Sequence, residues 1–112
     1  MKVVRKKPGE GPEIVDVENT LDALQAEVGG HIEAVTFSED ACVLCNEEGR
    51  LMWLPHNVNF LGHDFVGTIL IVGIKGEEFC DVPLPELFMK SLYSSWLKGA
   101  VESVFGGECH DN

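Results

Sequence analysis

The chain has 112 residues, 45% of them apolar and 24% charged, which fits a single domain that buries roughly two thirds of its unfolded surface in one core. Nineteen acidic side chains against eight basic ones give a net charge of −11. Four of the bases are Lys2, Arg5, Lys6 and Lys7, so residues 8–112 hold four bases against nineteen acids, a balance of −15 that argues against direct nucleic-acid binding and against anionic membranes.

The opening "MKVVRKKPGEGPE" is basic, but no apolar stretch of signal-peptide type follows it. The longest apolar run, "TILIVGI", has the length of a strand and not of a membrane span. With no export signal, the four cysteines read as free thiols in a reducing cytoplasm.

Residues 1–7 and 13–18 read as two strands around the "PGEGP" turn, Val15 and Val17 alternating with Asp16 and Glu18. In "NTLDALQAEVGG", Asn19 or Thr20 can cap a short helix whose apolar side carries Leu21, Leu24 and Val28, and Gly29-Gly30 can end it. "HIEAVTF" and "ACVLCN" follow as strands joined at "SED", then "NEEG" turns the chain into a further strand, "RLMWL". "PHNVNFLGHDFVG", residues 55–67, has no regular period and reads as a long loop, the kind of segment in which compact domains place function. "TILIVGI" is then the best candidate for a central strand, and "EEFCDV" an edge strand blunted by its carboxylates.

The C-terminal segment is predicted as one long helix over 85–105, with Pro85 in its first turn, Gly106-Gly107 as its stop and 106–112 as a flexible tail. Phe88, Met89, Leu92, Tyr93, Trp96, Leu97, Ala100 and Val104 fall on one broad apolar side of that helix. Covering a sheet face is the plainer use for it. Phe88, Met89, Leu92, Tyr93 and Trp96 are also the candidate surface for a protein partner or for a homodimer, because the stripe is wide and aromatic.

The segments "ENTLDALQAEVGGHIEAV", "CNEEGRL", "LPHN" and "VGTILIVG", in that order and spacing, resemble an uncharacterised family, domain-of-unknown-function family 3846. The resemblance covers residues 1 to about 74 and implies a setting in small proteins of Firmicute-type bacteria, their phages and conjugative elements. It implies no reaction, cofactor or catalytic residue. Where the family usually carries an arginine after the asparagine matching Asn57, this chain has Val58.

Cys42 and Cys45 have the spacing of half a zinc clasp, but Val43 and Leu44 between them are strand formers. Residues three apart in a strand point to opposite faces, so the two sulfurs are expected to diverge. His56, Asn57, Asn59, His63 and Asp64 share the 55–67 loop and, with Glu47 and Glu48 of the "NEEG" turn, form the candidate binding loop. Two imidazoles and carboxylates can hold a divalent ion or move protons, yet no spacing such as H-E-x-x-H is present, and no catalytic or metal-ligand set is assigned. Nor is there a P-loop, G-x-S-x-G or G-x-G-x-x-G motif.

The expected fold is α+β, a mainly antiparallel sheet of five to seven strands with one short helix and one long C-terminal helix packed on one face. The expected function is a non-enzymatic binding or interaction module of a mobile element or phage, without a cofactor, whose partner is another protein. Two alternatives stand beside it: an acidic DNA mimic that occupies a host DNA-binding or restriction protein, and a metal-binding hydrolase or sensor built on the 55–67 loop. Sequestering a small anionic nucleotide would require Lys2, Arg5, Lys6, Lys7 or Arg50 to line a pocket.

Overall fold

The computed structural model describes residues 1–109, with side chains through residue 99. The elements are β1 (Lys2–Lys6), β2 (Glu13–Asp16), α1 (Leu21–Val28), β3 (Ile32–Thr36), β4 (Ala41–Asn46), β5 (His56–Phe60), β6 (His63–Val66), β7 (Ile69–Lys75), β8 (Glu78–Cys80) and α2 (Pro85–Cys109). The class is α+β, as expected. Six strands form an antiparallel sheet in the order β2-β1-β7-β4-β3, with β8 paired to the far end of β7, and β5-β6 make a second, two-stranded sheet.

Burial follows from the sequence of the central strands. Every residue of β4 is buried, and so are the first five of β7, because both faces of the sheet are covered. Alternate residues then divide between two cores. Val3, Cys42, Leu44, Leu70 and Val72 meet Leu24 and Val28 of α1. Val4, Val43, Cys45, Ile69 and Ile71 face the other way and meet the β5-β6 hairpin and Leu92 of α2. The helices therefore sit on opposite faces of the sheet, which corrects the expectation that both pack on one. An antiparallel sheet whose middle strands are apolar on both sides needs two covers, and one helix of eight residues supplies only one of them.

The short helix is built as its sequence indicates. The Thr20 hydroxyl accepts from the Ala23 amide at 3.2 Å, and Gly29 takes the left-handed conformation (φ 81°) that lets its amide reach the Gln25 carbonyl at 2.8 Å. Leu24 and Val28 are buried; Leu21, at the first turn of the same side, remains exposed.

Two segments differ from the sequence reading. The expected strand 50–54 is a turn, closed by the Leu54 amide on the Gly49 carbonyl at 3.0 Å and the Met52 amide on Glu48 at 2.9 Å. The expected loop 55–67 is the β5-β6 hairpin, whose two-residue tip, Leu61-Gly62, has φ of 54° and 79°. A register shift between His56 and Val58 breaks the alternation there, which hides the hairpin from a period-2 search. At the C-terminus, α2 continues past Gly106-Gly107 to Cys109, since glycine weakens a helix by about 1 kcal/mol without forbidding it. The rest of the expected tail, residues 110–112, lies outside the described residues. Among the described residues, no helix is long and apolar enough to cross a membrane.

Candidate functional site

The hairpin brings part of the candidate loop against the "NEEG" turn. Asn46, at the end of β4, organises that turn from below: its Oδ1 accepts from the Glu48 amide at 2.8 Å while its Nδ2 donates to the Val28 carbonyl at 3.1 Å. Strand β6 passes above β3 and β4, leaving a cleft of about 260 Å³. Glu33, Glu47, Glu48 and Asp64 line it with His63 and Arg50, and Cys45 lies in its floor. Arg50 donates to the Asp64 main-chain carbonyl, so its charge is held at the rim. Four carboxylates against one guanidinium make this cleft a place for cationic groups and not for anions.

His56 Nε2 lies 2.7 Å from Asp64 Oδ1, the closest pairing among the candidate residues. Both side chains are largely exposed, so the pair is well hydrated and worth little in stability. The Cys45 thiol in the floor of the cleft is unsuited to nucleophilic attack: burial pushes it up to about 11, and it donates to the Glu33 carbonyl at 3.6 Å. Among the described residues, no three of His, Cys, Asp and Glu are placed to share a metal ion. Cys42 and Cys45 stand in different cores on opposite faces of the sheet, as their spacing predicts; Cys42 is also raised to about 11 by burial.

Asn57 and Asn59 do not join the cleft. Asn57 is buried at the bulge, its amide donating to the Lys6 and Gly67 carbonyls, both at 2.7 Å, and its oxygen accepting from the Lys6 ammonium at 2.9 Å. Lys6 itself is fully buried, donates also to the Lys7 carbonyl at 2.9 Å and lies 4.7 Å from the centre of the Trp96 ring. Desolvation lowers its pKa to about 8. Asn59 is exposed and, with His56, borders a second cleft against Trp96 of α2. As for the other cations considered for an anionic ligand, Arg5 is paired with Glu13 at 3.1 Å and Glu27 at 2.9 Å.

On α2, Leu92 is fully buried, and Phe88, Met89 and Trp96 pack against the core, with Phe88 edge-on to Phe37 at 5.5 Å. Those four hold the helix to the sheet and the hairpin. Tyr93 stays exposed, as do Leu87 and Leu97.

Residues 1–93 match the family described as "Domain of unknown function (DUF3846)". The chain belongs to that family. The match runs past residue 74 and takes in the first part of α2, so the family region includes Leu92, where the sequence reading had placed a shared pattern only to the end of β7. No curated protein and no solved structure matches the chain.

Two features of this region escape sequence reasoning. Lys6 lies in a basic run that reads as solvated, and nothing local marks it as buried. Trp53 reads as a strand residue yet stands on the outside of the turn. The signal for it was present in "RLMWL" itself, where no polar residue alternates with the apolar ones as a half-buried strand requires.

Proposed function

We propose that this protein is a non-enzymatic binding module that docks another protein along the outer side of α2, in the mobile-element or phage setting that the family resemblance implies. The observation that carries this is an apolar groove where the β1-β2 turn meets the helix. Gly11 and Pro12 form one wall, and Met89, Tyr93 and Leu97 the other. Tyr93 is 48% and Leu97 44% exposed, so neither side chain is used up by the core. The reading places the protein in the cytoplasm, in keeping with the free thiols of Cys42, Cys45 and Cys80.

The test is a Tyr93→Ala/Leu97→Ala double variant compared with wild type in a native pull-down washed at high salt. Loss of a stoichiometric protein partner with an unchanged melting temperature supports the groove. Retention of the partner, or a variant that melts many degrees lower, removes its support.

The DNA-mimic reading is favoured by a different observation. Register and turn contacts gather Asp16 at the end of β2 and Glu18 just after it, Asp40 before β4, and Glu77, Glu78 and Asp81 around β8 at one end of the main sheet. All six are exposed. Only Lys2, Lys75 and the N-terminal ammonium stand near them among the described residues. Release of host proteins from DNA–cellulose by wild type, but not by an Asp16→Asn/Glu18→Gln/Asp40→Asn variant, is the expected result. No release at any salt concentration sinks it.

A further inference from the structure

We infer that the turn between β4 and β5 is a docking anchor whose Leu51-Met52-Trp53 tip inserts into an apolar pocket, rimmed by lysine and arginine, on a partner protein. The three side chains are 79%, 50% and 91% exposed, the most open run of large apolar residues among the described ones. Exposed apolar residues are ordinary singly; three in succession at the tip of one turn are not.

The turn is fixed and not loose. Asn46 fastens its base, Leu54 folds over Gly67 where a side chain would not fit, and three backbone bonds close it, from Met52, Trp53 and Leu54 to Glu48, Arg50 and Gly49. Trp53 is held in the left-handed region, φ 56°, which a bulky residue adopts only against a steric penalty. An aromatic side chain presented on a prearranged backbone loses little conformational freedom on binding, which is the usual character of an interface hot spot. Trp53 adds little packing to the fold, since it points away from the core, while the half-exposed Met52 is steadied by its sulfur accepting from the Asn46 side-chain amide at 3.6 Å.

Charge selects the occupant. Glu47 and Glu48 precede the tip, and Glu33 and Asp64 line the cleft that adjoins it, while Arg50 is already engaged by the Asp64 carbonyl. A two-fold contact between copies would bring these carboxylates face to face in a chain of net charge −11. Anionic lipid and nucleic acid are repelled by the same groups. A protein pocket with an apolar floor and a basic rim complements both the tip and its surroundings. This surface lies on a different element from the α2 groove and stands or falls separately.

The test uses the full chain with p-benzoylphenylalanine introduced at position 53, irradiated in a lysate of its source cells, and the cross-linked peptides sequenced. The expected result is one dominant protein, joined through a segment rich in lysine or arginine beside apolar residues. Its yield should fall by about tenfold in 1 M salt, and comparably when Glu47 and Glu48 are changed to lysine. Excess wild-type chain should compete, and Trp53→Ala or Met52→Glu chains, each melting as wild type does, should not. Cross-linking to a second copy, to lipid or to nucleic acid overturns the inference. So does the absence of any dominant product, or equal competition by the Trp53→Ala chain.

Discussion

The two faces of the main sheet are built on different physical plans. The α1 face is closed by one capped helix and an aliphatic core in which Leu24 and Val28 meet Val3, Leu44 and Val72. The opposite face is covered by a hairpin and a long helix, and it encloses aromatic rings together with a buried ammonium and a buried amide. Apolar contact is non-directional and tolerant, whereas the Lys6-Asn57 pair is held by hydrogen bonds that must all be made at once. The first face is therefore a cover, and the second a structure with a fixed geometry onto which a cleft and an exposed turn can be mounted.

Removing Asn57 should draw the largest distinction between them. Asn57→Ala takes an acceptor from the Lys6 ammonium and donors from the Lys6 and Gly67 carbonyls, and a loss of about 4 kcal/mol in denaturant unfolding is expected. The matching change on the other face, Leu24→Ala, should lower stability by about 3 kcal/mol through a cavity alone.

The faces should also separate by pH. Lys6 has a folded pKa of about 8 against 10.5 in the unfolded chain, so between those values the unfolded state binds a proton that the folded state has released. Lys6 therefore makes stability rise with pH, by about 1 kcal/mol between pH 8 and 9. Above pH 9 the Cys42 and Cys45 thiols, raised from 9.0 to about 11 by burial, act with the opposite sign and cancel the rise. Unfolding measured between pH 8 and 9 should show the rise in wild type and in Leu24→Ala, and should not show it in Lys6→Met. An equal rise in Lys6→Met would mean that another group is responsible.

Two smaller effects sharpen the picture. A Cβ on Gly73 would collide with the carbonyl oxygen of Asp81, so Gly73→Ala should cost about 2 kcal/mol and loosen β8, seen as faster amide exchange at Phe79 and Cys80. Thr20→Ala, which removes only the cap of α1, should cost about 1 kcal/mol and leave exchange in the hairpin unchanged.

The same division decides how much could be read from the sequence. Most of the α1 face is legible because its signals are local: Thr20, the Leu24–Val28 spacing and Gly29 lie within ten residues of one another. The divergence of Cys42 and Cys45 also follows from strand period alone. The meeting of Glu47 and Glu48 with His63 and Asp64 was expected from their neighbouring segments, and the cleft unites them. What stayed hidden on the opposite face depends on distant partners. Asn57 breaks the alternation of β5 in order to bond with Lys6 and Gly67, and Lys6 is buried only because α2 returns to lay Trp96 beside it. Even so, the uniformly apolar runs of β4 and β7 carried the information that both faces are covered.

The split cysteine pair has a consequence for following motion in this molecule. Cys42 and Cys45 stand in separate cores with thiols raised to about 11, so in the native state neither ionises appreciably at neutral pH; Cys42 is sealed, while Cys45 shows only an edge in the floor of the cleft. Cys42 becomes reactive only when its own side of the sheet opens, and Cys45 becomes fully so only when the hairpin lifts from β4. The chain thus carries two internal clocks three residues apart, Cys42 timing the departure of α1 and Cys45 that of the hairpin and α2. Their relative labelling rates give the order in which the two covers come off.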